Sequence, residues 1–181
     1  MILYNLTMTK SDIPVMPKFF DRYINLAGND WLLLDALTQG ASFENLIPAE
    51  TLEKLGDLRY APGKWTVKDI VQHIIDTERI MSYRAMRLSR NDQTPLPGFD
   101  EEKFGEMAMG SRRTIPDLYD EYAAVRKSNI ALFSSFDEEM MLRTGTCSDQ
   151  RISVLALGFV LVGHATHHVN IINERYLPLL A

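Results

Sequence analysis

The chain has 181 residues and a single cysteine, Cys147. One cysteine excludes an intrachain disulfide and fits a reducing, cytoplasmic setting. Cys147 lies in the polar stretch "RTGTCSDQR", where it reads as an incidental loop thiol rather than a nucleophile. Basic runs are absent, and the formal net charge is −5. That balance gives no electrostatic reason to bind nucleic acid or an anionic membrane. Long apolar runs are also missing. The longest, "VLALGFVLVG", has ten residues, about half of what a bilayer span needs, so it reads as a buried helix. The first residues, "MILYNLTMTKSDIP", have no basic start followed by a sustained apolar stretch and do not read as a signal peptide. Internal repeats, phosphate-binding glycine loops and a defensible Ser–His–Asp arrangement are lacking, so nucleotide chemistry has no motif behind it. Strand signals are sparse, and no hairpin dipeptide such as Asn-Gly occurs.

What is present is ordinary globular composition, with 46% hydrophobic and 24% charged residues. At this length a single domain, 1–181, can bury a full core. Four long segments carry helical periodicity. The first runs from about Pro17 to Gln39, with Phe20, Tyr23, Ile24, Ala27, Trp31 and Leu34 at helical spacing. Gly28 is its weak point, and Gly40 is its stop. A short helix follows Pro48 and ends near Gly56. The second long helix starts at Thr66, an N-cap with Asp69 in the capping-box position, and continues to about Asn91. A broken stretch follows, in which "DEEKFGEM" can make a turn or two and "DEEK" reads as solvated. The third helix opens with "TIPD" at Thr114 and reaches about Phe136. Ser153 caps the fourth, which runs to about Tyr176. The fold class is therefore all-α, a four-helix bundle with long connections.

Three of the four histidines stand together in "VGHATHHVN". His164 and His168, four residues apart, project from one helix face about 40° apart. That spacing offers two imidazoles to one metal ion. His167 lies about 100° from His168 and reads as a bystander, although a His164–His167 pair is geometrically allowed. A third ligand must come from another element, and His73 in "VKDIVQHIIDTER" is the remaining histidine. Three neutral imidazoles around Zn²⁺ or Ni²⁺ leave a coordination position open, as catalytic sites do. Such a site activates water or a thiol. Ala165 stands where a zinc protease has glutamate, so peptide hydrolysis by that mechanism is disfavoured.

These residues resemble a known family. "PGKWTVKDIVQHIIDTE" is similar to the signature of the DinB-like (YfiT-like) metal-binding superfamily. "SVLALGFVLVGHATHHVNIINERYLP" resembles that family's last helix, and "PLPGFDEEKFGE" the loop after its second. The match spans about residues 17 to 178. It implies a four-helix bundle with a divalent metal on His73, His164 and His168, and frequent homodimers. Relatives include thiol transferases, so a low-molecular-weight thiol is a candidate cosubstrate; many others are metal-dependent hydrolases. The expected partner is a small-molecule substrate. The competing reading is a non-enzymatic helical dimer with a structural or vestigial metal; a metal-free binding module is a third.

Three neighbours complete the expectation. Asp76, three residues after His73, is the candidate catalytic residue: it could orient a ligand imidazole or move a proton, or merely form a salt bridge. Arg175 reads as a charge complementing a helix C-terminus. Trp65, just before the second helix, reads as a hydrophobic plug.

Overall fold

The computed structural model describes residues 7–181. The first six residues of the stretch read as lacking a signal peptide lie outside them. Eight helices follow in order: α1 (Asp21–Ile24), α2 (Leu33–Gln39), α3 (Ala49–Leu55), α4 (Val67–Ser89), α5 (Glu101–Ala108), α6 (Ile115–Ser134), α7 (Glu138–Leu142) and α8 (Val154–Ile171). A two-stranded hairpin, β1 (Thr144–Cys147) and β2 (Gln150–Ser153), precedes α8. Helices α4, α6 and α8 form three sides of the bundle, and α1 with α2 forms the fourth.

The starts of the long helices follow their side chains. Thr66 accepts from the Asp69 amide at 3.2 Å, and Asp69 accepts from the Thr66 amide at 3.0 Å. This reciprocal cap satisfies two otherwise orphaned donors. Thr114 caps α6 with Pro116 in its first turn, and Ser153 accepts from the Ala156 amide at the head of α8. The stretch Val154–Leu180 is long and apolar enough to cross a membrane by composition alone, yet most of it is buried as the bundle's central helix.

The expected first helix is broken. Only Asp21–Ile24 and Leu33–Gln39 are α-helical, with an irregular link between them. The Trp31 indole folds over Gly28, where a Cβ would lie 2.5 Å from its Nε1. Leu32 is extended, and the Leu33 amide donates to the Met8 carbonyl at 3.0 Å. Tertiary hydrogen bonding thus replaces the helical ladder, and Trp31 is 44% exposed rather than in the core. The hairpin is a second departure. Its turn places Ser148 and Asp149 at φ 49° and 60°, the two left-handed positions of a type I′ turn. Ser-Asp fills them in place of Asn-Gly. Cys147 is accordingly no loop residue: it ends β1, fully buried, and burial pushes its thiol up.

The core falls into two apolar halves. One holds Val154–Val162 of α8, excepting Gly158, with Met81, Ala85 and Phe133. The other holds Ala165, Val169 and Ile172 with Val67, Ile70, Val71, Ile74 and Ile75 of α4 and Leu118, Tyr119 and Tyr122 of α6. Between them lies a polar layer. Glu78 takes a two-pronged contact from Arg126 and accepts from Asn129 Nδ2 at 2.7 Å. Arg126 also reaches the Leu161 carbonyl at 3.3 Å. Burial pushes Glu78 up, opposed by Arg126 and Asn129.

Candidate metal centre

His73 comes from the first third of α4, and His164 and His168 from the second half of α8, the most extensively packed helix pair. His164 Nε2 lies 3.1 Å from His73 Nε2 and 3.2 Å from His168 Nε2. All three donors fall within 4.8 Å of one another. The imidazoles are 5–9% exposed. Burial pushes His73 down to about 4, with His167 adding to the effect. Burial first, then the neighbouring imidazoles, hold His164 and His168 well below the ordinary histidine value. All three rings are therefore neutral at pH 7, the form that binds metal.

The donor set fits a divalent cation. One imidazole nitrogen carries either a proton or a lone pair in the ring plane. His164 Nε2 therefore cannot hydrogen-bond well to both neighbours at once, whereas a shared cation satisfies all three. With Zn–N bonds of about 2.0–2.1 Å, tetrahedral ligands stand about 3.3 Å apart and right-angled ones about 2.9 Å apart. The two separations from His164 Nε2 lie between these values. Among the described residues no carboxylate or thiolate joins the cluster. His168 also forms part of the wall of a 150 Å³ cavity with Tyr60, Trp65, Ile70, Glu102 and Tyr176.

Around the cluster, aromatic rings fix the imidazoles. Tyr23 of α1 meets His164 edge-on at 5.1 Å, and Trp65 leans on His73 at 4.9 Å. Trp65 is thus a plug that rests on a candidate ligand, and its carbonyl accepts from Tyr176 at 2.6 Å. His167 stands outside the cluster, on the Tyr23 ring at 5.3 Å. Arg175 reaches away to the Tyr60 hydroxyl at 3.3 Å. Asp76 accepts from Gln72 Nε2 at 3.0 Å and faces Arg79 at 3.9 Å. Gln72 in turn accepts from Arg113 at 2.8 Å. Asp76 borders a different cavity, of 560 Å³, lined also by Phe104 and Met107. Burial pushes its carboxyl up, opposed by Gln72 and the nearby arginines.

Sequence reasoning did not single out Tyr23, Glu102 or the Glu78–Arg126–Asn129 layer. A signal for the last existed: Tyr122, Arg126 and Asn129 share the inward face of α6, and a cation at a core position requires a buried partner.

A model of the DinB superfamily matches residues 42–172, which include all three clustered histidines. The chain belongs to the DinB superfamily. A protein of Oceanobacillus iheyensis named a putative metal-dependent hydrolase is 35% identical over 60 residues, covering 30% of this chain and 34% of that one. The chain thus spans about a third of the length of that curated relative. Among solved structures, YfiT from Bacillus subtilis superposes with a TM-score of 0.66 at 18% identity, over 91% of this chain and 90% of the other. It is described as a probable metal-dependent hydrolase with an unusual four-helix bundle topology. That likeness establishes the four-helix bundle as the fold; α4 and α8 carry the histidines.

Proposed function

We propose that this chain is a metal-dependent hydrolase whose divalent ion, Zn²⁺ or Ni²⁺, is held by His73, His164 and His168. One observation carries the reading. Three neutral imidazole nitrogens converge with no carboxylate or thiolate beside them among the described residues, and one of the three opens on a cavity. The hydrolase names of the two relatives support the reaction class. When bound, the ion supplies Lewis acidity and a lowered pKa for water.

The chain's own residues do the rest. His73, His164 and His168 present lone pairs because burial keeps them unprotonated. Tyr23 and Trp65 fix two of the rings, by an edge contact on His164 and a tilted contact on His73. The cavity beside His168 offers aromatic walls to a small-molecule substrate, with Glu102 and Lys64 as its charged groups. Asp76 enters as a positioning residue that holds Gln72, the neighbour of His73 in the chain.

The test is metal analysis of protein purified without chelator, followed by an ester and amide hydrolysis screen with and without added thiol. A stoichiometric divalent ion, lost in His164→Ala, with hydrolysis independent of thiol is expected. Activity only with bacillithiol or glutathione would make the chain a thiol transferase. Bound metal without activity would favour the structural role, and absence of metal would overturn the proposal.

A further inference from the structure

Helix α5 lies on the surface of the bundle, against α4. None of its eight residues is buried. Every one of them instead lines a cavity. Glu101 faces a 270 Å³ cavity with Phe20 and Met81. Glu102 faces the 150 Å³ cavity that His168 walls. Gly105 and Glu106 line one of 410 Å³ with Trp65. Lys103, Phe104, Met107 and Ala108 line the 560 Å³ cavity on the far side. Its inward contacts are with α4 and the Trp65 indole, and with no buried side chain of its own it stands at the low-stability end of the fold.

Its two ends are anchored. Before it, the Leu96 amide donates to the Thr146 carbonyl at 2.9 Å, and Arg84 donates to the Pro97 carbonyl at 2.8 Å. After it, Gly110 is buried, and the Ser111 amide donates to Asp69 Oδ1 at 2.9 Å. Between α5 and the second anchor stands Met109 at φ 52°, a left-handed conformation uncommon for a residue with a side chain. A turn of this kind is a natural place to absorb a backbone rotation.

One tight contact sits in the middle. A Cβ on Gly105 would lie 2.8 Å from Trp65 Cζ2 and 3.0 Å from Cε2, so the helix backbone rests directly on the indole. The same indole leans on His73. Gly105, Trp65 and His73 thus form a stack from the surface to the centre.

We propose that α5 is a hinged cover over the three-histidine centre, latched by Gly105 on Trp65, so that ligands larger than the 150 Å³ cavity reach the centre only when it lifts. The proposal rests on that centre being the functional site. Lifting α5 removes Glu102 from the wall of the 150 Å³ cavity and joins that space to the 410 Å³ one, because Trp65 and Glu102 border both. Gly105 is then a specificity-determining residue. A methyl group there must displace either the helix or the indole, and His73 backs the indole.

The test uses the full chain stripped of metal, with diethylpyrocarbonate as the probe and the modification rate of each histidine read by peptide mass. In Gly105→Ala the overpacked latch is expected to raise the His168 rate about fivefold or more. The thermal midpoint is expected to hold, because α5 buries no residue. His167, outside the stack, serves as the internal reference, and Met107→Ala, on the same helix away from Trp65, is expected to match wild type. An unchanged His168 rate would overturn the proposal. So would a uniform rise at all four histidines with a lowered midpoint, which reports general loosening. Zinc uptake is measured in parallel: failure to bind zinc would refute the metal reading, while the modification rates still decide the cover.

Discussion

Alanine at Gly163 is expected to separate α1 from α8 and unsettle the centre. The residue precedes His164, and a Cβ there would lie 1.8 Å from the Tyr23 carbonyl oxygen and 2.5 Å from its carbon. Carbon–oxygen contacts normally sit at about 3.3 Å or more, so the backbone of α1 must retreat by about 1.5 Å. It is not free to do so. Tyr23 and Ile24 are buried, and their amides donate to the Phe20 carbonyl. Overpacking of this kind costs about 1–3 kcal/mol, and a backbone obstacle that cannot rotate away puts this case at the upper end. Alanine returns about 1 kcal/mol of helix propensity, leaving a net loss of about 2 kcal/mol. Urea unfolding of Gly163→Ala beside wild type measures it, and the Tyr23 edge contact on His164 predicts weaker zinc binding in the same variant. A stability within about 0.5 kcal/mol of wild type would refute the reasoning, since no relaxed arrangement then needs the close approach.

Other outcomes follow from the same geometry. In metal-free protein the unfolded chain protonates His73 near pH 6.5, whereas the folded chain does so only at about 4. Stability present above pH 6.5 is therefore lost as pH falls through that window, by up to about 3 kcal/mol from His73 alone; a denaturant midpoint flat from pH 7 to 4.5 would contradict this. Glu78→Gln leaves Arg126 charged in the core and is expected to cost about 3–5 kcal/mol, read by thermal melting, with a neutral result refuting the polar layer's role. Asp76→Asn is expected to keep full zinc content, because Asp76 bonds Gln72 rather than a ligand; loss of zinc in this variant would place Asp76 at the centre. Cys147 is expected to resist thiol reagents until the protein unfolds, and rapid labelling of native protein would disprove its burial.

How much of this was written in the chain depends on the range of the interaction involved. Helices α4, α6 and α8 were legible because their caps and apolar faces are local: Thr66 with Asp69, "TIPD" and Ser153 each act within one turn. The pairing of His164 with His168 was legible for the same reason, since helical geometry alone sets it. The broken first helix was not, because its breaks are made by Met8 and by the Trp31 indole folding onto Gly28. The hairpin escaped because Ser148 and Asp149 adopt left-handed conformations that Asn-Gly would have announced. Nor could helical spacing place Asp76, whose carboxylate turns to Gln72.

By itself, then, the sequence determined the helical periods, their starts, and a two-histidine face on the last helix. Only the tertiary structure decided that His73 meets that face at 3.1 Å, that a glycine must precede His164 to admit the Tyr23 backbone, and that α5 rests on Trp65 above the centre. The physical reason is separation along the chain. Local order is set by torsions and by hydrogen bonds within a turn, whereas a site drawn from residues 73, 164 and 168 exists only once packing of α4 against α8 has fixed their relative height.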